Sequence, residues 1–124
     1  MIFVFGSNLA GIHGAGAAKY ALNHKGAILG QGEGLHGSSY AIPTKNKRIQ
    51  PLTLSQIELF VETFIDFARS NPDLKFQVTQ VGCGLAGNKA SEIAPMFIDA
   101  PDNCYFDKKW DFWLGDDCNY WGTK

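Results

Sequence analysis

The chain has 124 residues, with 11 Lys and Arg against 12 Asp and Glu, and 45% of its residues are hydrophobic. Its 16 aromatic residues supply enough apolar surface to offset chain entropy, which excludes a disordered chain. A net charge of -1 argues against a sequence-reading or phosphate-neutralising grip on nucleic acid, and no apolar run approaches the roughly 20 residues that cross a bilayer.

One domain, residues 1–124, accounts for this length. Cys83, Cys104 and Cys118 are odd in number and widely spaced, without a Cys-x-x-Cys pair, so neither a disulfide framework nor a metal site is expected. No cofactor is implied. The run Met1–Gly6 has no preceding basic residue and no cleavage pattern, and with the cysteine usage it leads us to expect a reduced, cytoplasmic protein.

In chain order, Ile2–Phe5 is a short apolar run stopped by Gly6-Ser7-Asn8, the pattern of a buried strand and a loop. Gly14–Leu22 is Ala-rich and predicts a short helix, with His24 near its end facing solvent. A second strand is expected at Ala27–Leu29, then a loop through Gly30, Gly32, Gly34 and Gly37, then a strand at Ser39–Ile42 ended by Pro43.

Thr53–Arg69 is the clearest element. Leu54, Ile57, Phe60, Val61, Phe64, Ile65 and Ala68 recur at helical spacing, and Thr53 with Gln56 forms a capping-box pattern. Asn71-Pro72 stops it. A buried strand at Phe76–Val81 runs into Gly82-Cys83-Gly84-Leu85-Ala86-Gly87, and a helix over Ala90–Phe97 and a strand at Cys104–Phe106 follow. This alternation predicts an α/β fold whose mostly parallel sheet is covered on both faces. Residues 104–124 form an aromatic-rich strand and tail holding seven aromatics, all three tryptophans among them.

Nine of the 14 glycines lie in the first 37 residues. Three glycine-rich segments, Gly6–Gly16, Gly30–Gly37 and Gly82–Gly87, each follow an expected strand. In parallel sheets ligands sit beyond the carboxyl ends of the strands, so three such loops predict one shared crevice. Glycine lets backbone N–H groups close on an anion, and Gly14-Ala15-Gly16 precedes a helix whose dipole favours phosphate. A tight turn explains any one such loop; three together point to a ligand. Gly32-Glu33-Gly34-Leu35-His36-Gly37 matches the dinucleotide fingerprint literally, but it runs into a strand and is rejected.

His13 and His36 stand in these loops, where a solvated histidine is the default and a ligand contact the alternative. A small residue packing at a tight strand exit explains Cys83 better than a nucleophile with His13 or His36 as base. Lys45, with Lys47 and Arg48, reads on the residues alone as a solvated basic run.

Val81-Gly82-Cys83-Gly84-Leu85-Ala86-Gly87 resembles the glycine-rich loop of macro domains, which bind ADP-ribose. Phe5-Gly6-Ser7-Asn8 and His13-Gly14-Ala15-Gly16 resemble the first ligand loop of the branch containing the terminal ADP-ribose protein glycohydrolase, and Ala41-Ile42-Pro43-Thr44-Lys45 resembles the strand end carrying its catalytic lysine. The resemblance covers roughly residues 3–97.

It implies a minimal three-layer α/β/α sandwich lacking the usual first strand. It also implies a crevice for ADP-ribose or a related nucleotide lined by Gly6, Ser7, Asn8, His13, Gly14, Ala15, Gly16, Gly82, Cys83, Gly84, Leu85 and Ala86. Lys45 would be the nucleophile that attacks the ribose carbon. Ala86 stands where the branch carries an assisting aspartate, and the strand and Gly-Asp loop that hold adenine have no counterpart here; Asn8, Glu33 and His36 are candidate substitutes for the lost carboxylate that the motif does not itself single out.

Three functions therefore stand open: a nucleotide-binding module, an ADP-ribosyl hydrolase acting on modified protein, and an interaction module using the aromatic tail. That tail is expected to pack on the sheet edge or a homodimer partner; stacking of one of its aromatics on a nucleobase is the alternative.

Overall fold

The computed structural model describes residues 1–123. Six strands, β1 (Ile2–Asn8), β2 (Gly34–His36), β3 (Ser39–Lys45), β4 (Phe76–Val78), β5 (Cys104–Asp107) and β6 (Asn119–Trp121), form one sheet in the order β2-β3-β1-β4-β5-β6. Every neighbouring pair is parallel except β2 with β3. The helices are α1 (Gly16–His24), α2 (Leu54–Ser70), α3 (Ala90–Ile93), which continues into a 3₁₀ turn at Ala94–Phe97, and α4 (Asp111–Leu114). The mostly parallel α/β sandwich read from the alternation of elements is present. No helix among the described residues is long and apolar enough to cross a membrane.

Strand pleating divides the core. Phe3 and Phe5 face α1, where they join Ala21, Ala27 and Ala41 in a thin layer. Val4 faces the other way and joins Ile42, Val78 and Phe106 beneath α2, α3 and α4, where Phe64, Phe97 and Trp110 fill the thicker layer. Helix α2 begins as expected: Thr53 Oγ1 accepts from the Gln56 N–H at 3.2 Å, and Gln56 Oε1 accepts from the Thr53 N–H at 2.9 Å.

Several expected boundaries move. No strand forms at Ala27–Leu29: Ile28 and Leu29 are 51% and 64% exposed, because β2 already occupies the outer edge of β3. The loop expected at Gly30–Gly37 instead contributes a hairpin. His36 pairs with Ser39 across the two-residue turn Gly37-Ser38, and Gly37 takes a φ of 58°, which suits glycine at the first turn position.

Strands β1 and β3 each run to a later end, because Gly6, Ser7 and Asn8 pair with Ile42, Pro43 and Lys45, with a register shift between Ser7 and Asn8. Pro43 does not end its strand. It lies beyond Ala41, the last residue paired with β2, where a residue without an N–H is accommodated. Strand β4 is shorter than expected and stops at Val78.

The tail packs on the sheet. Strand β6 adds a parallel edge to β5, Trp110 is fully buried, and the Trp121 ring N–H donates to the Val78 carbonyl at 2.9 Å. Phe112, on α4, is 83% exposed.

Candidate functional site

The sheet order defines where a ligand can sit. From β1 the chain leaves toward β3 through α1 on one face. From β4 it leaves toward β5 through α3 on the other face. A crevice opens where two such connections diverge, at the carboxyl ends of β1 and β4. A cavity of about 450 Å³ lies there.

Gly6, Ser7 and Asn8 from β1, Gly14, Ala15 and Gly16 before and at the start of α1, Lys45 from β3, and Gly82, Gly84, Leu85 and Ala86 after β4 all line this cavity. Two of the three glycine segments thus converge, with the end of β3 as a third wall. The segment Gly30–Gly37 is not in the lining and follows no strand, so the expected threefold convergence is corrected. Gly30 to Gly32 instead buttresses the first loop from behind. The Gly30 N–H donates to the Gly11 carbonyl at 2.9 Å, and the Ser7 hydroxyl donates to the Gly32 carbonyl.

His13 and Cys83 are not in the lining either. The histidine is 1% exposed rather than solvated. Its Nε2 lies 3.1 Å from both the Ile28 and Gln31 carbonyls, and its ring meets Phe5 edge-on. It is a tie between the first glycine loop and the segment behind it.

Cys83 packs half-buried against the α2-side core, its Sγ 3.5 Å from the Val81 carbonyl. Burial, with the Glu92 carboxylate adding, pushes its thiol up to about 11. The thiolate a nucleophile needs is therefore suppressed. His36 sits on β2 with Nε2 3.1 Å from the Glu33 carbonyl, and neither residue reaches the cavity. Asn8 does, but its amide is occupied: Oδ1 accepts from Ile12 N–H at 3.0 Å and Nδ2 donates to Ile12 O at 2.8 Å, which holds the loop closed.

The loop backbone supplies the polar surface. Ala15 precedes α1 without a capping side chain, and the N–H groups of Gly16, Ala17 and Ala18 find no acceptor among the described residues. Across the cavity, Asn88 closes the second loop onto the Gly82 carbonyl through both its N–H and its Nδ2, each at 3.0 Å. That closure leaves the N–H groups of Gly84, Leu85 and Ala86 without an intramolecular acceptor among the described residues. Lys45 is the one charged residue in the lining, which contains no carboxylate among the described residues.

Residues not expected from the sequence complete the walls: Ile12, Ala17, Ala18, Thr44, Ile49, Thr79 and Gln80. Thr44 is buried and donates to the Ser7 carbonyl at 3.1 Å, fixing the β1–β3 seam. Ile49 is carried to the rim with a φ of 62°, unusual for a β-branched residue. The turn that holds it is built on Asn46 Oδ1, which accepts from the Arg48 and Gln50 N–H groups at 2.9 and 3.0 Å. Thr79 and Gln80 were hidden by placing the strand end at Val81; an end at Val78 puts them at the carboxyl terminus, where ligands are met. Neither protein-family models, nor curated proteins, nor solved structures match this chain.

Proposed function

We propose that this cavity binds ADP-ribose or a related nucleotide through its diphosphate. One observation carries the reading. Among the described residues, two runs of backbone N–H groups without an intramolecular acceptor, at the start of α1 and in the loop after β4, line one cavity whose single charge is Lys45. Peptide dipoles converging without a competing carboxylate favour an anion, and the positive end of α1 adds to the field. The volume of about 450 Å³ falls in the range of small-molecule sites. The resemblance to macro domains supports the same ligand class.

Calorimetric titration with ADP-ribose, ADP and inorganic pyrophosphate tests it. Saturable binding of all three is expected, and absence of binding by every one of them overturns the reading.

A second reading, hydrolysis of ADP-ribosyl groups from modified protein, is favoured by the presence of Lys45 in the lining. Turnover also requires a group to manage protons at the ribose, and here Ala86 stands where the resembling branch places its aspartate. Binding without efficient turnover is therefore the primary reading. Release of ADP-ribose from modified protein that is abolished in Lys45→Ala would establish the second.

A further inference from the structure

Gln80 lines the cavity just beyond the carboxyl end of β4, and its amide has a defined orientation. One end faces Asp107, whose Oδ2 lies 3.1 Å from Nε2. A carboxylate only accepts, so the amide nitrogen must point at it and the carbonyl oxygen must point away. Asp107 is itself fixed at the end of β5, where its Oδ1 accepts the Lys109 N–H at 3.0 Å. Gln80 Oε1 accepts no hydrogen bond among the described residues, although the side chain is half-buried. Trp121, the register partner of Asp107 on β6, reaches back over β5 to the Val78 carbonyl, so an indole lies beside the same strand ends.

A half-buried carbonyl acceptor, locked by a carboxylate behind it and beside the diphosphate cradle, discriminates between ligands by what they offer it. An amino group satisfies it, whereas a carbonyl at the same place leaves two acceptors facing each other. We propose that Gln80, positioned by Asp107, forms a base-recognition subsite that selects nucleotides whose base presents an exocyclic amino group. The inference rests on the nucleotide reading above and adds the part of the ligand that is read for identity.

ADP and inosine diphosphate make the test, because hypoxanthine carries a carbonyl where adenine carries the exocyclic amino group, together with a proton on the adjacent ring nitrogen. Inorganic pyrophosphate probes the cradle alone. By calorimetry the wild-type protein is expected to bind ADP about tenfold more tightly than inosine diphosphate, the size of one hydrogen bond gained or lost. Gln80→Leu is expected to bring that ratio close to one. Asp107→Asn is expected to do the same, because an amide behind Gln80 no longer dictates which end faces the ligand. A merely structural role for Asp107 would change both affinities and leave the ratio alone.

Equal wild-type affinity for ADP and inosine diphosphate, with pyrophosphate bound, overturns the subsite and leaves the diphosphate reading standing. A ratio untouched by Asp107→Asn but lost in Gln80→Leu overturns the positioning role. Failure of pyrophosphate and both nucleotides to bind overturns the nucleotide reading, and the subsite with it.

Discussion

Gly32→Ala is expected to displace the first glycine loop, because it adds a side-chain atom where backbone already sits. A Cβ at this position would lie 2.0 Å from the Asn8 carbonyl oxygen, 3.0 Å from its carbonyl carbon and 3.1 Å from Leu9 Cα. Real Cβ contacts essentially never fall below 3.0 Å, so backbone must retreat by about 1 Å or more. The retreating atoms belong to β1 and the turn that carries Asn8 into the cavity. Retreat also strains the bond from the Ser7 hydroxyl to the Gly32 carbonyl and the link from Gly30 N–H to Gly11.

Overpacking of a fitted interior costs about 1–3 kcal/mol, and a backbone obstacle places this case at the upper end, about 3 kcal/mol. For a domain of this size each kcal/mol is worth roughly 3–5 °C, so the melting temperature should fall by about 10–15 °C. Near-UV circular dichroism would follow the melt, and calorimetry would show pyrophosphate affinity falling at temperatures where the variant is still folded. Gly30→Ala is the control: a Cβ there meets nothing within 4 Å, and only the φ of 86° is strained, for about 1–2 kcal/mol. A Gly32→Ala melt within 2 °C of wild type, or no lower than that of Gly30→Ala, would refute the buttress.

The remaining expectations concern the cavity and the thiols. Lys45→Ala should weaken pyrophosphate binding roughly tenfold and flatten its salt dependence, while leaving the melt unchanged because Lys45 forms no ion pair among the described residues; an unaltered affinity would remove Lys45 from the site. Gly84→Leu should abolish ligand binding at little cost in stability, since a Cβ at Gly84 meets nothing within 4 Å and its φ is unremarkable; retained affinity would place the ligand elsewhere.

Burial pushes the Cys104 thiol up to about 12, and burial with Glu92 pushes Cys83 to about 11, from an ordinary 9.0. A raised thiol means the fold prefers the neutral form. Its contribution is complete below pH 9 and is lost as pH climbs from 9 through 11 to 12. Urea midpoints should therefore fall between pH 8.5 and 10.5, less steeply in Cys83→Ala/Cys104→Ala, and identical slopes in the two proteins would contradict this assignment.

What was legible in the sequence was what local chemistry decides. The repeat of Leu54, Ile57, Val61, Phe64 and Ala68, with Thr53 and Gln56 at its start, could form only one amphipathic helix with that cap. The crevice at the ends of β1 and β4 was legible because glycine follows an apolar run in both, although β1 pairs on through Gly6 to Asn8 and β4 stops at Val78, four residues before Gly82. The third loop misled because glycine also serves close backbone packing. Gly32 is glycine for the nearness of Asn8, and Gly37 for a hairpin whose signal, Gly-Ser between two short extended runs, was present but unread. His13 was illegible for a different reason. Its burial is created by the Ile28 and Gln31 carbonyls, 15 and 18 residues away, and no local pattern announces them. Gln80 and Asp107 stand 27 positions apart and meet only because β4 and β5 are neighbours.

The net charge of -1 set against the proposed anion-binding cavity holds no contradiction. Side-chain charge totals decide long-range steering, and on that scale a near-neutral chain has no grip on a polyanion. A single diphosphate is bound on a shorter scale, by dipoles a few ångströms away. Here those dipoles are peptide N–H groups, three at the start of α1 and three between Gly84 and Ala86, which no count of Lys and Arg registers. Their sign is fixed by backbone direction, so a substitution cannot neutralise them as it can a lysine. The vulnerable elements are those that aim them: Asn8 closing the first loop, Asn88 closing the second, and Gly32 fitting behind both Ser7 and Asn8. The proposed site would thus be carried by residues whose side chains never touch the ligand's charge, with Lys45 the exception and Gln80 the proposed reader of what lies beyond it.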